Sequence, residues 1–174
     1  MNPRFGFVLA SVAMATLAGC ASYYAAPSAS AQLQATKGNT TTGTVRFVQS
    51  GDVVKVSGEI TGLKPGAEHG FHIHEKGDCS SGDGMSAGGH FIPGGKSHGH
   101  HGMVEHHTGD LPSLKADANG VAKFSFESRT IRVGSTDNNI VGRGLIVHRD
   151  PDDYKTQPTG NAGPRLACAV IAAQ

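Results

Sequence analysis

Apolar and polar residues alternate over Thr42–Gln49 (TGTVRFVQ) and again over Val53–Thr61 (VVKVSGEIT), with Ser50-Gly51-Asp52 as a turn between them. A period of two sends successive side chains to opposite faces, so each stretch predicts a strand with one buried face. Glu68–His74 is a third candidate strand, and Ala122–Phe126 (AKFSF) follows the turn signal Asn119-Gly120. Ile140–His148 is a Val/Ile/Leu run broken by Gly142 and Gly144, and Leu166–Ile171 closes the chain as a mostly apolar run. No window sustains a helical period over three turns. The pattern predicts an all-β sandwich or barrel of short strands. Two long stretches, Glu75–Ser113 and Arg149–Pro164, lack strand character, and long loops in a compact domain are commonly functional.

The start of the chain follows a different pattern. Arg4 precedes FGFVLASVAMATLAG, an apolar run too short to span a bilayer comfortably, and residues 1–19 read as a secretory signal. The run closes on Leu17-Ala18-Gly19-Cys20, which resembles a bacterial lipobox. That resemblance implies cleavage before Cys20 and lipid attachment to it, hence a membrane as partner. Ala21 in place of Asp implies the outer membrane rather than retention at the inner one. The small and polar residues that follow read as a tether, so residues 20–35 are expected to hold the lipidated Cys and linker, and residues 36–174 the domain.

Length and composition refine this picture. A chain of 174 residues suits one domain. Hydrophobic residues make up 37% and aromatics 6%, a thin apolar supply that points to help from a disulfide or a metal. Loss of residues 1–19 removes Arg4 alone among the charges, so 15 cations become 14, against 14 acids. That balance gives no reason to expect nucleic acid as a partner. In an oxidising exported compartment, Cys79 and Cys168 read as one disulfide. It would close a loop of about 90 residues, worth roughly 4 kcal/mol on the loop-entropy account.

The ten histidines are the outlier, and they cluster. In GFHIHEKGDC (70–79), His72 and His74 are two apart and so share a strand face. An isolated pair of this kind reads as a wet strand face. Here His90, His98 and His107 follow in the long loop, then Asp110, and His148 ends a late strand. Imidazole and carboxylate donors without clustered thiolates suit Zn and Cu and leave redox cycling open. Six imidazoles exceed one tetrahedral ion. They fit two sites, or one site with decoration, and spacing does not divide them.

These residues resemble the copper,zinc superoxide dismutases, in particular the bacterial periplasmic, lipoprotein-type branch. The matching segments are GFHIHEKGDC, SAGGHFIP (86–93), HTGD (107–110), GRGLIVH (142–148) and GNAGPRLACAVI (160–171), together with the eight-residue step from His90 to His98 and the nine-residue step to His107. The resemblance covers residues 36–174. It implies an all-β Greek-key sandwich or flattened barrel of short antiparallel strands with two long functional loops. Carried onto this chain, it makes His72, His74, His90 and His148 copper ligands and His90, His98, His107 and Asp110 zinc ligands. His90 bridges the two ions. It also pairs Cys79 with Cys168, makes Asp152 the carboxylate joining His72 to His98, and places Arg165 at the mouth of the copper channel, where a guanidinium can hold an anion.

The implied activity is disproportionation of superoxide to O₂ and hydrogen peroxide in the bacterial periplasm, with copper cycling and zinc organising the loop. Arg165 and His90 are the implied catalytic residues. Lys76, Lys96 and Lys155 are candidate steering charges. Within the runs 98–101 and 106–107, His98 and His107 are chosen on spacing and on the HTGD match. His69, His100, His101 and His106 are left over, with a structural hydrogen-bonding role expected for His69. The assembly expected is a monomer or homodimer. The rival from another class is a lipid-anchored copper and zinc buffer without turnover, which the His-rich 98–107 loop favours and Arg165 does not need.

Overall fold

The computed structural model describes residues 25–134 and 136–174. The expected signal over residues 1–19 and the lipidated Cys20 lie outside the described residues.

Ten strands form in chain order: β1 (Ser28–Ala35), β2 (Thr42–Ser50), β3 (Val53–Thr61), β4 (Glu68–His69), β5 (Phe71–His74), β6 (Leu114–Lys115), β7 (Ala122–Ser128), β8 (Gly144–His148), β9 (Arg165–Val170) and β10 (Ala172–Ala173). A single 3₁₀ turn, Met85–Ala87, is the one helical element among the described residues. The main path runs β5-β8-β9-β1-β2-β3-β7, all antiparallel, with β10 against the start of β1 and with β4 paired to β6. Strand β1 joins the two halves of the sandwich. Its first residues pair with β2, while Gln34 and Ala35 pair with Cys168 and Ala167 of β9. Strands β1 to β3 are consecutive neighbours, and β9 returns from far along the chain to lie beside β1, a Greek-key arrangement.

The predicted β2–β3 hairpin forms, with Ser50 opposite Val53. The core between the layers is built from its inward faces (Val45, Phe47, Val54, Val56, Ile60) and from Leu33, Phe71, Ile73, Leu145 and Val147. Removal of this apolar area from water is the main stabilising term, at about 25 cal/mol per Å².

Several expectations are corrected. The tether was expected to run through residue 35, yet Ser28–Ala35 is a full strand of the sheet, with Ala29, Ala31 and Leu33 wholly buried. Small side chains hid the alternation, because only Leu33 is large. Glu68–His74 divides at Gly70, whose N–H donates to Asp150 O and whose carbonyl accepts the His148 N–H, so its backbone serves the long loop and β8. A Cβ at Gly70 would lie 2.7 Å from that of Ala162, so this crossing requires glycine. The run Ile140–His148 is a strand only from Gly144 onward.

The two long loops pack over the outer face of β5 and β8. All four residues of β5 and all five of β8 are therefore buried, on both faces. Loop backbone also covers the free edge of β5: Ile73 N–H donates to Gly109 O and Phe91 N–H to Ile73 O. Phe71 and Ile73 face the core, which leaves His72 and His74 under the loops.

Candidate metal centre

Two groups of donors assemble beneath the loops. In one, ligand atoms of His72, His74, His90 and His148 lie within 4.8 Å of one another; in the other, those of His90, His98, His107 and Asp110 do. His90 belongs to both. Every residue of both groups is buried.

Hydrogen bonds fix which nitrogen each ring presents. His74 Nδ1–H donates to Gly88 O (2.9 Å) and His148 Nδ1–H to Gly163 O (3.1 Å). His72 Nε2–H donates to Asp152 Oδ2 (2.7 Å). What remains is His72 Nδ1, His74 Nε2, His90 Nε2 and His148 Nε2, each buried without a hydrogen-bond partner among the described residues. An unmet buried polar atom costs about 1–3 kcal/mol. Four of them converging as lone pairs is the donor set of a cation with a taste for imidazole, so these residues fit a copper ion.

The second group is crowded in the same sense. Asp110 Oδ1 lies 3.0 Å from His90 Nδ1, 3.0 Å from His98 Nδ1 and 3.5 Å from His107 Nδ1. Asp110 Oδ2 accepts the backbone N–H of Gly99 (3.1 Å) and of His107 (2.8 Å), which holds the carboxylate in place. Three imidazoles and one carboxylate with no thiolate suit zinc.

The charges follow from this packing. Burial works against ionised Asp110, yet hydrogen bonds from His107, His90, His98 and Gly99 hold its carboxyl far below the ordinary carboxylate range. Burial likewise opposes charge on His98, but hydrogen bonds to Asp110 and Asp152 outweigh it and raise that ring to about 9. His90 goes the other way, to about 4, chiefly because it is buried. Burial, neighbouring imidazoles and the Arg165 charge hold His74 and His148 well below the usual histidine range.

Asp152 ties the groups together. Its Oδ2 takes His72, while Oδ1 takes His98 Nε2–H (2.9 Å) and the Tyr154 N–H (2.7 Å). Burial again opposes the ionised form, and these bonds drive its carboxyl well below the ordinary value. Sequence reasoning missed Gln157. Its Oε1 accepts the His98 N–H (2.9 Å) and its Nε2–H donates to His98 O (2.9 Å), so one amide clamps the backbone that carries His98. A lone Gln in a polar loop carries no sequence signal of this.

Arg165, at the head of β9, is half-buried beside the first group. One guanidinium nitrogen donates to Gly84 O, and Nη2–H donates to Gly88 O at 2.6 Å. Gly88 O is the carbonyl that also fixes His74, so the guanidinium and this imidazole share an acceptor. Gly88 takes φ +74°, and a Cβ there would strike the Glu75 side chain, so glycine is required at this junction. The Cys79–Cys168 disulfide forms, with Cα atoms 5.9 Å apart, and pins this loop to β9. His69 does take a hydrogen-bonding position, Nδ1–H to His148 O at 2.9 Å. Lys76, Lys96 and Lys155 are all exposed, and Lys96 donates to Val104 O (2.6 Å).

A β-sandwich whose loops place two cation sites on either side of one shared imidazole defines a two-metal protein. A family model described as copper/zinc superoxide dismutase matches residues 41–171. Over 135 residues the chain is 47% identical to a "Superoxide dismutase [Cu-Zn]" of Paramecium bursaria Chlorella virus 1, which spans 74% of this chain and 71% of that protein. A crystal structure of the clock protein EA4 superposes with a TM-score of 0.78 at 39% identity, covering 86% of this chain and 96% of that one. The chain belongs to the copper/zinc superoxide dismutase family, whose metals are copper and zinc.

Proposed function

We propose that the protein disproportionates superoxide: two superoxide anions and two protons give one O₂ and one hydrogen peroxide. The single observation that carries this is the set of four unpartnered imidazole nitrogens beside Arg165. His72, His74, His90 and His148 would hold copper, and His90, His98, His107 and Asp110 would hold zinc. When bound, copper supplies one-electron exchange with superoxide, and zinc supplies fixed charge without redox chemistry.

The residues of the chain do the rest. Arg165 draws the anion in and orients it by charge-assisted hydrogen bonds, since each guanidinium has donors beyond those given to Gly84 and Gly88. His90 Nε2 would hold a proton between the two half-reactions of one turnover and pass it to the second superoxide as peroxide forms. Asp152 accepts Nε2–H from His72 and His98 and so leaves Nδ1 of both rings to face a metal, while Asp110 completes the zinc group as a ligand. Lys76, Lys96 and Lys155, all exposed, are the candidate steering charges of this account. A buffer without turnover is not favoured, because storage of metal gives no use to a guanidinium held beside the imidazoles on the Gly84 and Gly88 carbonyls. Metal analysis coupled to a turnover assay tests this: one copper and one zinc per chain with rapid superoxide removal supports it, whereas several loosely held ions and no removal would support the buffer.

The leader sequence supports a further reading, that the protein belongs to the lipoprotein-type branch and works in the bacterial periplasm. Residues 1–19 would act as the signal and Cys20 as the lipid-bearing residue holding the protein at the outer membrane. Leu17-Ala18-Gly19-Cys20 supports this reading. Radiolabelled palmitate incorporated by the natural chain and lost in Cys20→Ser is the expected result. Equal labelling of both would remove the anchor.

A further inference from the structure

Two histidines outside both metal groups repeat the preparation seen in the first. His101 Nδ1–H donates to Asp110 O (3.1 Å), and His106 Nδ1–H donates to His107 O (2.6 Å). A carbonyl only accepts, so each bond places a proton on Nδ1, and Nε2 is then the nitrogen whose lone pair can meet a metal. Neither Nε2 has a partner among the described residues. His74 and His148 also give Nδ1–H to a backbone carbonyl, but their Nε2 atoms are buried, whereas those of His101 and His106 are not among the buried unpartnered atoms. The ring centroids of His101 and His106 lie 5.5 Å apart with the planes at 62°, an edge-on pair, whereas those of His74 and His148 lie 5.6 Å apart and nearly stacked at 29°. His106 is 96% buried at 4% exposure, whereas His101 is half-buried at the surface, so the pair opens to solvent on one side.

We propose that His101 and His106 form a third, exchangeable site for a divalent ion that favours imidazole, such as Zn²⁺. Two protein nitrogens leave the remaining positions to water, which suits capture and release rather than permanent holding. Charge around the pair is mixed. The Lys96 ammonium reaches the same loop and disfavours a cation, while the Asp110 carboxylate beneath favours one. The site is therefore weaker than the two central ones, and it sits on the loop that carries His98 and His107. His100 takes no part: its ring packs against Tyr154, with centroids 4.6 Å apart.

The test is equilibrium dialysis of the full protein, already loaded with copper and zinc, against added Zn²⁺. Bound ions are expected to rise to about three per chain and to return to about two in both His101→Gln and His106→Gln, with His100→Gln unchanged. No third equivalent, or its survival in either of the first two variants, overturns the proposal. Should His106→Gln also shed the central ions, nitrogen NMR of the unsubstituted protein decides. Added Zn²⁺ is expected to shift Nε2 of both His101 and His106 while Nδ1 stays protonated; Nε2 signals that do not move overturn the site. None of these outcomes depends on superoxide turnover.

Discussion

At the scale of single residues, the site works by assigning each imidazole nitrogen one task. Asp152 is the clearest case, because one carboxylate sets the tautomers of His72 and His98 together. Asp152→Asn is expected to weaken metal binding about 10- to 100-fold in competition with a chelator, and unchanged binding would contradict the role. His98 makes a pH prediction. In the metal-free fold its proton is held up to about 9, against an ordinary histidine value of 6.5. Zinc must displace that proton, so calorimetry at pH 7.5 in buffers of different ionisation heat is expected to show proton release on zinc binding. Apparent zinc affinity should rise with pH until about 9. The raised value also stabilises the metal-free fold at low pH, fully below the ordinary value, and this is lost as pH rises through 9. Lowering of His90 to about 4 acts oppositely, costing stability as pH falls below the ordinary value.

At the scale of elements, what was legible and what was not divide along side-chain size. The β2–β3 hairpin was readable because Val, Phe and Ile mark its inward positions. Strand β1 resembles a tether in sequence because Ala29 and Ala31 mark its inward positions with single methyl groups. Its place between β2 and β9 makes it indispensable. A chain begun at Thr36 is expected to fail to give a cooperative thermal transition, while one begun at Ala25 should give one. The ligand order in the loops was legible through their resemblance to known motifs, and the disulfide with it. The clamp by Gln157 and the shared carbonyl of Gly88 were not, since both rest on long-range backbone contacts that no local pattern encodes. The Cys79–Cys168 bridge spans a sequence separation of 89. Its loss in Cys168→Ser is expected to lower stability in denaturant titration by roughly 4 kcal/mol, with loosening of the Gly84 and Gly88 carbonyls from Arg165.

At the scale of the whole molecule, function depends on where charge sits rather than on how much there is. The chain is close to neutral. Yet the half-buried Arg165 lies near enough to help depress His74 and His148, so its field covers the place where an anion would meet the first group. A cationic spot of this kind raises association rates of anions about 10- to 1,000-fold and is screened by salt. The sandwich supplies a rigid floor, β5 and β8, and the two loops supply the walls. The direct measurement is superoxide decay by pulse radiolysis, on protein carrying copper and zinc. The account predicts a rate constant approaching the diffusional ceiling of about 10⁸–10⁹ M⁻¹s⁻¹, falling with ionic strength and reduced at least 10-fold in Arg165→Leu. Decay no faster than that of copper-free protein would contradict it.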